Sequence, residues 1–330
     1  KLLLTLPFVF TIGVLLDLLQ KALTSGLGGG KWSWTVTSLF ISVPIKLFYR
    51  CENIFTTGGP ASAHLTGLLL KSVLNGRLVC ELQDPLSGKD IGRTANSGRM
   101  LRLLEQFIAK ISSKMVFVTK SAAREVQERY PNYAEKIVAI YPGSKSFETE
   151  GSMNRGEGEA LELIHLGTLY SSRNMYSLIQ AIDELIEESK LDKHSVKITN
   201  LGDIYGEMKE HHLARYYVKQ KDILPRAEAV SFAASKHISL LVQHADNRSQ
   251  TTIPYKTYDY MNIKNPILGL TNSKELSCLL HEHGHIAVDI NDIEAIKEAI
   301  LDLVNNYDVF LKKSQEIKID IVAQTKEILC

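Results

Sequence analysis

The stretch Thr251-Thr252-Ile253-Pro254-Tyr255-Lys256-Thr257-Tyr258-Asp259-Tyr260-Met261, running on to Asn265-Pro266-Ile267-Leu268-Gly269-Leu270, organises the reading of this chain. Hydroxyl side chains and open backbone amides precede a proline expected at the start of a helix. A lysine and a carboxylate follow within one or two turns, and a short apolar strand comes next. The unpaired N–H groups and positive dipole end of such a helix receive anionic oxygens, and Asp259, further along, accepts hydrogen bonds from the hydroxyls of a ribose. An anion and a diol are thus served by one element, which is the order of parts a nucleotide-diphosphate pocket needs. The same order also occurs in an ordinary loop-helix-strand unit with Pro near the first helical position. Spacing alone leaves both readings open.

Length and composition set the outer bounds. The chain has 330 residues, more than one core usually holds, so two domains are expected. Its formal net charge of +1 argues against nucleic acid as the main partner. The four cysteines, Cys51, Cys80, Cys278 and Cys330, are scattered without a C-x-x-C pair. That speaks against a disulfide framework or a zinc site and fits a reducing cytoplasm. The opening Lys1-Leu2-Leu3-Leu4-Thr5-Leu6-Pro7-Phe8-Val9-Phe10 stays apolar to Leu16 and stops at Asp17, short of the roughly 18 to 20 residues of a membrane span. A buried first strand with a following helix is expected there, and a signal peptide or trimmed anchor is the competing reading.

In the amino-terminal half, Gly26 and Gly28-Gly29-Gly30 form a loop, read either as plain surface or as backbone able to approach a phosphate; no G-x-G-x-x-G or Walker pattern is completed. Val36 to Tyr49 has helical spacing. Asn53 to Thr57 reads as a strand that Gly58-Gly59-Pro60-Ala61-Ser62-Ala63-His64 turns into an apolar helix, Leu65 to Leu74. Such turns lie at the carboxyl edge of a parallel sheet, where α/β proteins place ligands; His64 itself reads as a side chain packed locally at the helix start. Leu78 to Leu82 is the next strand, left through Gln83-Asp84-Pro85. Asp84 can orient or deprotonate a hydroxyl at the strand exit, or the Asp-Pro pair simply initiates a turn. Met100, Leu103, Leu104, Phe107, Ile108 and Ile111 recur at helical spacing opposite Arg99, Arg102, Lys110 and Lys114. This is a core helix with a solvated face, or one lying on anionic lipid. Met115 to Thr119 is expected as a strand, Ser121 as the N-cap of a helix to Arg129, and Ile137 to Ile140 as a strand ending at Tyr141-Pro142-Gly143.

From Ser144 to Ala160 the chain is rich in Ser, Gly, Glu and Asn without an apolar period, the composition of an inter-domain linker. The alternation restarts with a strand Leu161 to Gly167, a loop Thr168 to Arg173, and a helix carrying Leu178, Ile179, Ile182 and Leu185 on one face. Val196 to Thr199 and Ile238 to Val242 are further strands, and His211-His212 reads as a wet surface pair. His281, His283 and His285 invite a metal, because alternating imidazoles share one side of an extended segment. The preferred reading is a loop turned by Gly284 before the strand Ile286 to Asp289, since no acidic partner is evident. A helix from Ile293 to Val304 and one or two terminal helices from Tyr307 to Cys330 complete two sets of strand-helix alternation, hence two parallel-sheet domains.

The opening stretch resembles the nucleotide-sugar signature of GT-B glycosyltransferases, especially the retaining group called glycosyltransferase family 4. There a glutamate is followed, after seven residues, by a second glutamate inside a Pro-x-Lys-x-x-Glu-Tyr-like helix and then a Pro-Val/Ile strand. Pro254, Lys256, Tyr260, Pro266 and Ile267 match as they stand; Asp259 is the second acid, one methylene shorter, and Thr251 occupies the place of the first. In the family a Gly-Arg-Leu loop and a later Lys-Gly supply two cations that clamp the diphosphate. Here Thr168 follows Gly167 in place of the first cation and Arg173 stands for the second, a residue suited to bidentate grip on phosphate. Ile223 to Ala229 resembles the segment whose backbone receives the base. Tyr141-Pro142-Gly143 resembles the Pro-Asn-Gly hinge entry with its Asn lost. Gly58 or Gly59 takes the place of a family His, and Gln83 departs from a His that commonly precedes the acid at Asp84.

The resemblance implies an α/β, GT-B fold: two Rossmann-like parallel-sheet domains facing a cleft, residues 1–148 and 149–311, with a C-terminal helix at about 312–330 crossing back to the first. It implies a glycosyltransferase, retaining and metal-independent, that takes a UDP- or GDP-sugar donor. The donor would be bound by Gly167, Thr168, Arg173, Thr251, Thr252, Ile253, Lys256 and Asp259, with Asp84, Arg173 and Lys256 carrying catalysis through positioning and charge stabilisation and no obligatory cofactor. The acceptor would be a glycan or lipid-linked sugar of surface polysaccharide synthesis, and the location cytoplasmic, peripheral at the inner face of the membrane. Because Thr251, Thr168, Gly58 and Gln83 depart from the expected polar roles, a non-catalytic nucleotide-sugar-binding subunit is an alternative, as is a nucleotide-sugar epimerase of the same fold.

Overall fold

A computed structural model describes residues 2–24, 31–87, 95–144, 154–156, 158–211, 216–246, 249–250, 252–315 and 321–329. The chain divides into two compact units, Lys1–Tyr141 with Gln324–Cys330, and Pro142–Ala323.

The first unit opens with two helices, α1 (Leu2–Thr24) and α2 (Trp32–Tyr49). The strand expected at the start is therefore absent. Leu and Phe dominate the run, no turn residues interrupt it, and Asp17 does not end it. Instead Asp17 accepts from the Ser33 backbone N–H at 2.8 Å and hydroxyl at 2.6 Å, and Gln20 accepts from the Trp32 N–H at 3.0 Å. These are first-turn amides of α2, which carries no cap of its own, so α1 caps it from outside. Among the described residues no helix is long and apolar enough to cross a membrane.

Strands β1 (Asn53–Thr57), β2 (Arg77–Leu82), β3 (Lys114–Phe117) and β4 (Ile137–Ala139) form a parallel sheet in chain order. Helices α3 (Ala61–Val73), α4 (Ala95–Ile111) and α5 (Lys120–Arg129) connect them. The core gathers Leu78, Leu82, Ile108, Met115, Phe117, Val126 and Ile137, all at 0–1% exposure, which is what a sheet covered by helices requires. Thr119, not Ser121, caps α5, accepting from the Ala122 N–H at 3.2 Å; the extended backbone needed at an N-cap falls two residues after β3 ends. Lys114, assigned above to the basic face of a helix, belongs to β3 and donates to the Glu327 carbonyl at 2.7 Å.

In the second unit six parallel strands run in the order β10-β9-β8-β5-β6-β7. They are β5 (Leu161–Leu166), β6 (Val196–Leu201), β7 (Val218–Lys221), β8 (Ile238–Val242), β9 (Ile267–Leu270) and β10 (Ile286–Val288). The helices are α6 (Tyr176–Glu187), a short α7 (Glu207–Glu210), α8 (Arg226–Ala234), α9 (Lys256–Ile263), α10 (Lys274–Glu282) and α11 (Ile293–Gln315), the last kinked at Asn306. Strand β8 is buried at every position, as a near-continuous Ile-Ser-Leu-Leu-Val run in the middle of a parallel sheet should be. The order reverses between β5 and β8. In open α/β sheets that switch point, at the carboxyl ends of the strands, is where ligands lie. A final helix, α12 (Ile321–Leu329), returns the chain to the first unit, where Ile328 packs on Val79, Val116 and Ile140.

Candidate functional site

The site grows from two glycines beyond β5 and β6. Gly167 has φ +126° and its N–H donates to the Leu201 carbonyl at 2.9 Å. Gly202 has φ +140°, and a Cβ there would stand 2.6 Å from the Gly167 carbonyl oxygen. The two turns touch backbone to backbone, which only glycine allows at this φ. Their approach leaves room on the ligand side of Gly167: a Cβ there would meet nothing closer than 3.9 Å, the nearest atoms being His165 Cε1 and Lys256 Nζ.

Strand β5 aligns His165 with Asn200 of β6, both fully buried. His165 Nδ1 lies 2.6 Å from Asn200 Oδ1, and Asn200 Nδ2 donates to the Gly202 carbonyl at 2.8 Å. The other ring nitrogen, Nε2, lies 2.7 Å from Lys256 Nζ, which also donates to the Leu166 carbonyl at 3.2 Å. Lys256 is the first residue of α9, and its side chain turns back toward β5. Burial, together with the neighbouring Lys256 charge, keeps His165 neutral, its pKa well below the usual imidazole range. Burial and the Arg173 guanidinium push the Lys256 amine down to about 7.

Arg173 sits on a tight loop closed by reciprocal backbone bonds, Tyr170 N–H to Arg173 O at 2.9 Å and Arg173 N–H to Tyr170 O at 2.7 Å. Its guanidinium lies over the Tyr170 ring, 5.5 Å from the centroid, and its buried Nε has no hydrogen-bond partner. The loop is braced from β8: His244 is 3.2 Å from the Tyr170 hydroxyl and 3.0 Å from the Ser172 hydroxyl, and the Ala245 N–H donates to the Ser172 carbonyl at 2.8 Å. Two basic side chains thus stand close enough at the switch point for one to lower the pKa of the other, and neither forms an ion pair among the described residues.

The opening stretch folds with one difference from expectation. Helix α9 begins at Lys256, so Pro254 lies outside it, and the Thr257 and Tyr258 amides already donate to the Pro254 and Tyr255 carbonyls at 2.9 and 3.1 Å. Those two donors are not open to a ligand, because the entering turn tightens onto its own carbonyls. Thr252 is half-buried and its carbonyl accepts from Gln243 Nε2 at 2.7 Å; Ile253 is buried; Thr251 lies outside the described residues. Asp259 binds Ser144 at 2.5 Å and Arg226 at 2.6 Å, both through Oδ1. Thr168 is half-buried at the end of the β5 turn, and Asp84 is exposed in the bend after β2, in the other unit.

His165, Asn200, Gln243 and His244 carried no functional reading in the sequence. A polar residue two places before a glycine, His165 before Gly167 and Asn200 before Gly202, was the available signal for the first two. Other expectations resolve separately. His64 is buried at 0% exposure, bound to Thr56 Oγ1 at 2.9 Å and the Gly58 carbonyl at 3.1 Å. His281 accepts from the Ala287 N–H, His283 bonds the Leu279 carbonyl, and His285 accepts from the Ile267 N–H, so the three rings serve three different backbone groups. His211 is half-buried against Tyr176, ring centroids 5.2 Å apart, and is not a wet residue; packing on α6 draws it in. His212 and the loop Gly26 to Gly30 lie outside the described residues.

No family model matches the chain, and no curated protein matches it by sequence. Solved structures do. Anabaena Alr3699/HepE in complex with UDP and glucose is similar at 12% identity and TM-score 0.63, over 91% of this chain and 82% of that one. The α,α-trehalose-phosphate synthase (UDP-forming) from Burkholderia xenovorans, in complex with glucose-6-phosphate, is similar at 11% identity and TM-score 0.61, over 92% and 75%. TarM is similar at 14% identity and TM-score 0.56, over 78% of this chain, which spans only 50% of TarM. With its two Rossmann-like parallel-sheet units and a last helix returning to the first, the chain has the fold of the GT-B glycosyltransferases.

Proposed function

We propose that this chain is a glycosyltransferase that moves a sugar from a nucleotide-diphosphate donor held by its second unit. The observation that carries the reading is the pairing of the basic side chains Arg173 and Lys256 at the β5/β8 switch point, with a buried guanidinium Nε–H that finds no partner and no ion pair to either side chain among the described residues. A half-buried basic pair without a carboxylate partner suits a diphosphate, which supplies both the charge and the acceptor oxygens. UDP is the donor base favoured here, since the similar Anabaena protein was crystallised with UDP and with UDP-glucose.

Arg173 grips the diphosphate, Gly167 and Thr168 let it approach the backbone, and Lys256 neutralises charge that develops on the leaving phosphate, without a metal. Asp259 reaches a ribose hydroxyl through Oδ2, Oδ1 being engaged by Ser144 and Arg226. Thr252 and Ile253 stand on the approach to α9, and Asp84, exposed at the exit of β2, acts on the acceptor. The acceptor is a glycan or lipid-linked sugar, in a retaining transfer at the cytoplasmic face of a membrane. A thermal-shift screen against UDP, GDP, ADP and their sugars tests the binding step, because a ligand bound only by the folded state raises its stability. Stabilisation by UDP or a UDP-sugar is expected; none by any diphosphate overturns the site. Release of UDP from the stabilising donor, dependent on added acceptor, then tests transfer.

A further inference from the structure

Proton counting around Lys256 leads beyond the clamp. Asn200 Nδ2 is engaged by the Gly202 carbonyl, which turns Oδ1 toward His165 and makes His165 Nδ1 the donor of that 2.6 Å bond. Nε2 therefore carries a lone pair and accepts from Lys256 at 2.7 Å, while a second Lys256 N–H reaches the Leu166 carbonyl at 3.2 Å. A neutral amine has two N–H groups, and both are placed. An ammonium has three, and the third finds no protein acceptor among the described residues.

We propose that His165 is a positioning residue that orients the Lys256 amine, that this amine rests largely neutral beside Arg173 in the unliganded protein, and that one proton is taken up onto Lys256 Nζ when a diphosphate binds. The lone pair of Nζ accepts a proton from solvent, and the new N–H donates to a phosphate oxygen. No other bond is made or broken. The surroundings favour this order of events. From β5 the amine meets neutral His165 and from the following loop it feels the Arg173 cation, while the Tyr260 hydroxyl of α9 is engaged by the Leu166 N–H at 2.8 Å. The α9 carboxylate, Asp259, is engaged by Ser144 and Arg226. Without a ligand, burial and the guanidinium hold the amine near a pKa of about 7; a bound dianion reverses the sign of the local field.

The inference rests on the diphosphate reading, and the experiment separates the two. Binding of UDP and of inorganic pyrophosphate is followed by calorimetry at pH 8 in buffers of different ionisation enthalpy, which gives protons taken up per site. Uptake approaching one proton is expected, with affinity falling by up to about tenfold per pH unit above pH 8. Uptake should vanish in Lys256→Met and in Lys256→Arg, whose guanidinium is always charged. His165→Phe should shift the pH at which uptake is half-maximal, and His165→Gln, which keeps an acceptor, should restore it in part. A residue serving packing alone would alter stability and leave uptake unchanged. Binding of either probe without uptake, or with uptake retained in Lys256→Met, overturns the proposal and leaves the donor reading standing. Uptake with pyrophosphate but no binding of UDP keeps the proposal and sinks the nucleotide reading, and no binding of either probe sinks both.

Discussion

Two turns in this molecule are built from the same parts and come to different ends. In the first unit β1 runs into Gly58, with φ +110°, and buried His64 bridges Thr56 to the Gly58 carbonyl. In the second, β5 runs into Gly167, with φ +126°, and buried His165 bridges Asn200 to Lys256. The first imidazole closes on a hydroxyl and a carbonyl, and nothing is left over. The second closes on an amine, and a second cation, Arg173, stands beside it with an unbonded N–H. A buried histidine next to a positive-φ glycine is therefore not a signature of function by itself. What distinguishes the second turn is a basic pair with no ion pair among the described residues, the feature on which the proposed diphosphate site rests.

The largest effect expected from breaking this comparison is at the glycine contact that only the second turn has. Gly202→Ala puts a Cβ 2.6 Å from the Gly167 carbonyl oxygen, and should lower the stability of the protein by about 3 kcal/mol in denaturant melts. Gly58→Ala, whose Cβ would meet Pro60 Cδ at 3.3 Å and no backbone, should cost clearly less. Equal losses would remove the distinction. Next, Arg173→Ala should weaken diphosphate binding by about 2 kcal/mol, roughly thirtyfold, with little change for the bare nucleoside, measured by calorimetry. A parallel loss for both ligands would show that the guanidinium does not meet the phosphates.

On the clasp side, His64→Leu removes the partner shared by the Thr56 hydroxyl and the Gly58 carbonyl and should cost about 1–2 kcal/mol of stability with nucleotide affinity intact. Burial lowers the His64 pKa, so below the ordinary imidazole value the unfolded chain binds more protons than the folded one. Stability should thus fall as pH drops below about 6.5, and the part due to His64 should disappear in His64→Leu. The smallest effect is expected at Asp259→Ala, about 1 kcal/mol in nucleotide affinity, since the carboxylate is shared with Ser144 and Arg226. No change in affinity there would mean that the carboxylate serves Arg226 alone.

Much of the fold was legible because strands of this kind announce themselves: Leu161 to Leu166 and Ile238 to Val242 are apolar runs bounded by turn residues, and α6 carries its core face at Leu178, Ile179, Ile182 and Leu185. The opening helix was misread because a short apolar run without flanking turns has no period that separates strand from helix. Cap positions were misplaced at Ser121 and Pro254 for a related reason, since the first helical residue depends on where the preceding strand lets go.

The order of residues by itself determined the two rounds of strand-helix alternation, the loop bearing Arg173 and the helix bearing Lys256 and Asp259, because propensity, periodicity and turn chemistry act over a few neighbours. Tertiary structure alone decided that His165 and Asn200 lie in register, that Lys256 folds back from α9 onto β5, and that Arg173 stands beside it without a counterion. Strand pairing joins residues 35 positions apart, the return of the Lys256 side chain onto β5 joins residues 91 apart, and the field that sets their protonation is a sum over neighbours in space, not in sequence.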